Sequence, residues 1–166
     1  CDTPGSAINV AIAGRYAYVT DGDPGLHIID ILDPSAPVPV ATCETVDSTH
    51  DVAVAGTHAF VSDGTAGLQV VDVSNPSDPV IVGSCDTPGS AAGVDVAGLH
   101  AYVADDTGGL QILSIADPAN PLVEGVCDSI ASACDVEVAG GFAYVADNSA
   151  GLQLISVSDP LAPCII

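Results

Sequence analysis

Methionine and tryptophan are absent from this chain, and aromatic residues make up only 4% of it. A core drawn from such a sequence has to be filled with Val, Ile, Leu and Ala. Val and Ile are stiff at χ1 and fit the pleated surface of a sheet, so the composition leans towards strands. Positive charge is equally scarce. Arg15 is the only Lys or Arg against 22 Asp and Glu, for a formal net charge of −21. A field of that sign repels phosphate backbones and anionic bilayers, which sets nucleic acid aside as a partner. No apolar run reaches the roughly 18 residues of a membrane helix, so no membrane insertion is expected. The short motifs of common enzymes are missing too: there is no Gly-x-Ser-x-Gly, no phosphate-binding loop and no His-Glu-x-x-His. No Cys-x-x-Cys occurs, which argues against a zinc knuckle or a thioredoxin-like site. Sustained helical periodicity is lacking as well, and a helical solenoid is thereby excluded.

What the chain does have is repetition. One 42-residue unit recurs without insertion from Cys1, Cys43, Cys85 and Cys127, the last copy stopping at Ile166. A fixed period of this length marks one supersecondary unit per repeat, which cannot bury its apolar face alone and stacks on its neighbours. In the third copy Ala91–Val96 reads as a strand closed by Ala97-Gly98, and the Ala-Gly pair returns at 13–14, 55–56 and 139–140. A second strand follows at Tyr16–Asp21, His58–Asp63, His100–Asp105 and Phe142–Asp147. A third begins at Leu26, Leu68, Leu110 and Leu152. The pairs Pro34/Pro37, Pro76/Pro79, Pro118/Pro121 and Pro160/Pro163 then break the ladder, because proline cannot donate to it. A fourth, edge-type strand comes last (Val38–Thr42, Val80–Ser84, Leu122–Val126, Cys164–Ile166).

Four short antiparallel strands per unit, with a third strand apolar on both faces, need other sheets packed on each side. The expected fold is all-β: a single repeat domain over 1–166 made of four four-stranded antiparallel blades of a β-propeller, approximately 1–42, 43–84, 85–126 and 127–166. Four such blades are either half of an eight-bladed ring or part of a longer array. The chain starts and stops at a blade boundary, so no terminal strand is expected to be left over to complete a blade. Exposed blade faces would then be association sites, closing a ring by dimerisation or propagating head to tail into a filament.

The repeats also resemble a known family, the LVIVD-repeat proteins, through the Ala101–Asp105 strand, the Gly67–Gln69 start of the third strand and the Asp33–Pro37 loop, with Asn75 replacing Asp in the second copy. The third and fourth copies depart from it at Ser114 and Ser156, where the family has Asp. The resemblance implies a propeller that is secreted or surface-attached, often within a larger protein, with no established reaction to carry over.

Three groups of residues are candidates for chemistry. The loops after the second strand offer Asp21, Asp23, Asp105 and Asp106 to Ca²⁺, which takes six to eight oxygens. The same aspartates are equally the material of Asx-turns. The innermost strand of a propeller lines its channel, and there the equivalent positions hold Asn9, Asp51, Gly93 and Asp135. Asp95 and Glu137 stand two residues further on, and His50 stands beside Asp51 as a ligand or base. The cysteines form the third group. Cys1, Cys43, Cys85 and Cys127 are repeat-equivalent rim positions, expected to lie beyond the ~7 Å Cα limit for a disulfide. Cys134 and Cys164 belong to the fourth copy alone and, with Cys1 and Cys127, are candidates for a bond within that copy or across a subunit boundary. His58 and His100 replace Tyr16 and Phe142 and read as packed rings, while His27 replaces Gln69 and reads as an equally plain polar strand position.

No loop breaks the repeat, and function grafted on a repeat fold sits on such loops. The expected role is therefore non-enzymatic and structural: an extracellular or cell-surface protein that self-associates into a scaffold, adhesive layer or filament, needing no cofactor. A binding module for carbohydrate, peptide or a divalent cation such as Ca²⁺ at the channel mouth is the alternative.

Overall fold

The computed structural model describes all 166 residues, arranged as sixteen strands with no helix. Blade 1 holds β1 (Asn9–Ala13), β2 (Tyr16–Thr20), β3 (Leu26–Asp30) and β4 (Val38–Cys43). Blade 2 holds β5 (Asp51–Ala55), β6 (His58–Ser62), β7 (Leu68–Asp72) and β8 (Val80–Cys85). Blade 3 holds β9 (Gly93–Ala97), β10 (His100–Ala104), β11 (Leu110–Ser114) and β12 (Leu122–Cys127). Blade 4 holds β13 (Ala133–Ala139), β14 (Phe142–Asp147), β15 (Gly151–Ser156) and β16 (Cys164–Ile165). Each sheet is a simple antiparallel meander in chain order. The expected all-β architecture of four four-stranded blades is therefore what the chain adopts.

Local chemistry explains each turn. The first hairpin of every blade closes through a glycine in the left-handed region: Gly14, Gly56, Gly98 and Gly140 have φ of 61°, 60°, 64° and 61°. A side chain is disfavoured there, and such turns match the twist of the flanking strands. The Pro-x-x-Pro loops are pinned by Asx-turns. Asp33 Oδ1 accepts from the Ser35 amide at 3.0 Å, and Asn75, Asp117 and Asp159 accept likewise from Ser77, Ala119 and Leu161. The outer strands β4, β8 and β12 each carry a bulge opposite Ile28/Ile29, Val70/Val71 and Ile112/Leu113.

Every blade has two apolar faces, and the core is what lies between consecutive blades. Tyr18, Leu26, Ile28 and Cys43 of blade 1 pack on Val52, Ala59, Val61, Val71 and Val73 of blade 2. Phe60, Leu68 and Val70 meet Val94, Ala101, Val103, Leu113 and Ile115 in the same way, and Tyr102, Leu110, Ile112 and Cys127 meet Val136, Ala143, Val145, Ile155 and Val157. Inner strands follow one another in the contacts β1–β5, β5–β9 and β9–β13.

The two end faces have no such cover. Val10 is 54% exposed, whereas its equivalents Val52, Val94 and Val136 are 5%, 4% and 3% exposed. At the other end Leu152 is 71% exposed, whereas Leu26, Leu68 and Leu110 are fully buried. Removing a buried Leu costs about 2–5 kcal/mol, while an exposed one costs little. In dilute solution, where copies stay apart, Leu68→Ala should therefore lower unfolding stability by about 2–5 kcal/mol and Leu152→Ala by under about 0.5 kcal/mol. Urea denaturation checks the pair, and equal losses would contradict this packing.

Candidate functional site: the carboxylate seam of the channel

The inner strands β1, β5, β9 and β13 are sheet edges, so alternate backbone N–H groups point away from the sheet into the channel. Unpaired, each would cost free energy comparable to a lost hydrogen bond. Carboxylates take them up across the blade boundary. Asp51 Oδ2 accepts the Val94 amide of the next blade at 2.8 Å, and Asp95 Oδ2 accepts the Val138 amide at 2.7 Å. The same side chains reach back to their own strand, where Asp51, Asp95 and Asp135 Oδ1 accept from Val52, Val96 and Val136 at 2.7, 2.7 and 2.9 Å. Asn9 donates from Nδ2 to Asp51 Oδ1 at 2.5 Å. Asp51 and Asp95 thus each tie two inner strands together.

Gly93 explains why the two bonds come from different rows. It stands where Asp51 stands one blade earlier, and a Cβ there would meet the Asp135 backbone at 2.7 Å. The row continues through Asp95 instead. Asn9, Asp51, Asp95, Asp135 and Glu137 line one open cavity of about 340 Å³. Four of the five carry a carboxyl. Burial holds the Asp51 carboxyl above the usual range, against the pull of the Val94 and Val52 amides, and repulsion from Asp135 and Asp95 adds to it. Glu137 is raised chiefly by Asp95, then by burial and by its other acidic neighbours.

The remaining candidates fall elsewhere. His50 does not line the cavity; its amide donates to Ser62 O at 2.9 Å and its carbonyl accepts from Thr20 Oγ1 at 3.0 Å. Asp21 and Asp105 are fully buried and hold the segments that cross between blades. Asp21 accepts from Thr3 Oγ1 at 2.7 Å and the Gly5 amide at 2.6 Å, and Asp105 accepts from Thr87 Oγ1 at 2.6 Å and the Gly89 amide at 2.8 Å. Asp63 repeats the pattern with Val46 and Asp47. Asp23 is exposed, and Asp106 accepts from Ser132 Oγ at 3.0 Å. The loops of blades 1 and 3 do not converge, and no group of three or more His, Cys, Asp or Glu side chains is set to hold a metal ion.

All six cysteines are free. Cys134 lies on β13 and Cys164 on β16, the two opposite edges of one four-stranded sheet. Three strand spacings of about 4.8 Å separate those edges, too far for a bond between Cys134 and Cys164. Cys127 is buried and Cys1 exposed. Burial pushes the Cys127 thiol up, with Asp128 and Cys164 contributing. The sequence reading missed Thr20 and Ser62, whose hydroxyls donate across the boundary to His50 O at 3.0 Å and Ala92 O at 3.2 Å. It also read His27 as a plain strand position. Its ring is buried, with Nδ1 2.8 Å from Thr42 Oγ1 and Nε2 3.1 Å from Asp21 Oδ2 in a geometry that makes no hydrogen bond. Its departure from Gln69, Gln111 and Gln153 was the available signal.

Comparison with known proteins agrees with this architecture. The LVIVD repeat matches residues 4–45, 48–87, 88–129 and 131–166, and the chain belongs to that family. Among solved structures it is similar to the computationally designed Ika4 protein, with a TM-score of 0.76 at 6% identity, covering 92% of each chain. It is also similar to the computationally designed Ika8 protein (TM-score 0.73, 6% identity), covering 95% of this chain and 48% of that one. A functionally unknown protein from Desulfotomaculum acetoxidans aligns over 100% of this chain and 56% of its own, with a TM-score of 0.81 at 15% identity. The chain thus spans about half the length of the latter two. At these identities the likeness is one of fold. No curated protein matches the chain.

Two substitutions test the seam. Asp51 accepts from three donors, and an amide can offer only one oxygen, so Asp51→Asn should leave the buried Val94 N–H without an acceptor. A loss of about 1–3 kcal/mol is expected in chemical denaturation. Glu137 has the opposite sign. A carboxyl held above its usual value costs stability where it is ionised and none below its unfolded value. Glu137→Gln should therefore be more stable than the parent at pH 7, with the difference vanishing as the pH falls through the carboxylate range. A difference independent of pH would contradict the assignment.

Proposed function

We propose that this protein is a non-enzymatic, self-associating propeller module that works as an extracellular or cell-surface structural component. The observation that carries the reading is the mismatch between its interior and its two ends. The three internal interfaces hold clusters of 12, 9 and 9 buried residues, whereas the outward face of blade 1 gathers only Ala17, Val19 and Ile29. At the far end Tyr144 is 39% exposed, against 4%, 2% and 4% for its equivalents Tyr18, Phe60 and Tyr102. The end faces carry the same residue types, in the same positions, as the faces that pack together inside the chain. Face to face in a second copy they can repeat an internal interface.

Magnitudes support association. Covering a Val, Leu or Ile is worth about 1.5–3 kcal/mol, and association costs on the order of 4–15 kcal/mol. Val10, Ile12, Leu152 and their neighbours together exceed the lower part of that cost. Two such interfaces would close an eight-bladed ring from two copies; one interface repeated would give a filament or a surface layer. The six cysteines fit an oxidising exterior, where a bond between copies would reinforce either assembly. A second reading, a binding module for carbohydrate, peptide or a divalent cation, draws on the carboxylate-lined cavity. It is the weaker one because Asp51 and Asp95 already spend their oxygens on backbone amides. Calcium raising the melting temperature of the isolated chain would favour it.

Light scattering and negative-stain microscopy of the non-reduced protein at moderate salt test the main reading, with discrete rings or filaments expected and monomers at every concentration overturning it. Val10→Asp should abolish association while leaving the dilute chain folded, because Val10 is exposed there. The equivalent change Val94→Asp should unfold the chain itself.

A further inference from the structure

The outer strands carry a thiol to each blade boundary. β4, β8 and β12 end on Cys43, Cys85 and Cys127, which pair opposite Leu26, Leu68 and Leu110. From there the side chain leans on the outer strand of the following blade. Burial raises the Cys43 thiol, and the Ile81 amide of blade 2 pulls it back. Cys85 is likewise raised by burial and pulled back by the Val123 amide of blade 3. An amide acts on a thiol in this way only within hydrogen-bonding reach. Both thiols therefore lie beside the second residue of the next outer strand, and Cys43 shares one core cluster with Ile81.

Blade 4 places a second cysteine at this meeting point. Its outer strand begins Cys164-Ile165, where blades 2 and 3 begin Val80-Ile81 and Leu122-Val123. The third boundary keeps the approach of the second. A Cβ on Gly125 would collide with the Pro160 carbonyl and meet the Pro163 ring at 3.4 Å, as one on Gly83 would collide with the Pro118 carbonyl. Cys164 directly follows Pro163, and it is among the neighbours that raise the Cys127 thiol, after burial and Asp128. Cys127 is buried, while Cys164 is exposed. Exposure there is a property of the repeat: Val38, Val80 and Leu122 are 58%, 52% and 65% exposed, and a blade follows each of them. At the first two boundaries the thiol meets a strand that starts with an aliphatic side chain, and at the third one that starts with another thiol.

We propose that Cys127 and Cys164 of one chain form a reversible disulfide that staples blade 3 to blade 4. The bond closes β13, β14 and β15 into one covalent loop and acts chiefly by restricting the unfolded chain. The oxidant is a small-molecule disulfide of the glutathione class. Cys164 meets solvent and reacts first: its thiolate attacks one sulfur of the oxidant, and one small thiolate leaves. Cys127 then loses its proton and attacks Cys164 Sγ, which forms the protein S–S bond and releases the second small thiolate. Two protein thiols give up two electrons and two protons, and the oxidant becomes two thiols. Burial keeps Cys127 from reacting with the oxidant directly, so the order of the two steps is fixed by exposure. Both cysteines belong to one molecule, so the staple does not draw on the self-association reading.

The test is titration of the dilute full chain with oxidised glutathione, followed by peptic mapping without reduction. A link between the peptides of Cys127 and Cys164 is expected, in a product that runs as a single chain on a denaturing, non-reducing gel. The melting temperature should rise by on the order of 5 °C as the bond forms and fall back with dithiothreitol. Cys164→Ser changes an exposed side chain and leaves the fold intact; it should show neither the link nor the oxidation-dependent rise. A Cys127 thiol still free in excess oxidant overturns the staple, whether or not Cys164 carries glutathione. A Cys127–Cys164 link found only in covalent dimers overturns it too, as does an equal rise in the Cys164→Ser chain. Association is read separately, by light scattering on the reduced protein, so either reading can fail without the other.

Discussion

A sheet that is apolar on both faces has to be covered on both, and this requirement governs the whole molecule. A single blade of Val, Ile, Leu and Ala would leave two oily surfaces in water. Stacking removes one surface per blade and passes the problem along to the next. Within the chain the problem is solved three times, by clusters that each draw one face from one blade and the opposite face from its successor. The near-absence of large aromatic side chains suits this geometry, since thin aliphatic layers let consecutive blades lie close. Nothing in a linear stack of four can cover the first and last faces, so the unsolved remainder appears at the ends.

The polar seam is the second half of the same constraint. Blades that pack face to face leave their inner strands as edges with unpaired N–H groups, which only acceptor side chains can satisfy. Carboxylates suit the task because they accept from two amides at once, one on each side of a blade boundary. Their cost is visible in the raised Asp51 and Glu137 carboxyls. The buried loop aspartates Asp63 and Asp105 show the same tension: burial raises them, and the hydroxyl and amide donors of the crossing segment pull the other way. Much of the acidity of this protein is structural, used wherever the chain must hold a backbone donor away from water.

The fold was largely legible in the sequence, because an uninterrupted 42-residue period, a hairpin glycine and a proline loop in every unit leave few alternatives. Strand ends differ from expectation by one or two residues, as with β9, which starts at Gly93 rather than Ala91. The site was legible only as a set of positions. Asp51, Asp95, Asp135 and Glu137 do share one cavity, as the inner-strand reading expects. That Asp51 and Asp95 serve alternate rows, with Gly93 leaving room for Asp135, depends on distances between blades that no single repeat encodes. Repeats also hide their own phase. A unit beginning at cysteine looks complete when cut there, and only strand pairing reveals that the cysteine finishes the previous blade. Burial of Asp21 was invisible for the same reason, since its partners Thr3 and Gly5 come from the crossing segment rather than from its own turn.

Charge and geometry then pull the proposed assembly in different directions. Two copies that each carry −21 repel one another, and at low ionic strength this long-range term opposes the short-range gain from apolar contact. Salt screens the repulsion but leaves the contact terms almost untouched, so the proposed association is conditional on the medium. Once one seam has formed, the second seam of a two-copy ring becomes an intramolecular event with a high effective concentration, provided the curvature of eight blades brings the ends together. If the summed blade-to-blade rotation falls short of closure, the same seam adds a third copy instead and the stack continues as a filament. The seam chemistry is identical in both cases. What separates a discrete ring, with carboxylates gathered round a channel, from an extended material is the small rotation between consecutive blades, fixed by how Val, Ile and Leu interlock at the three internal interfaces.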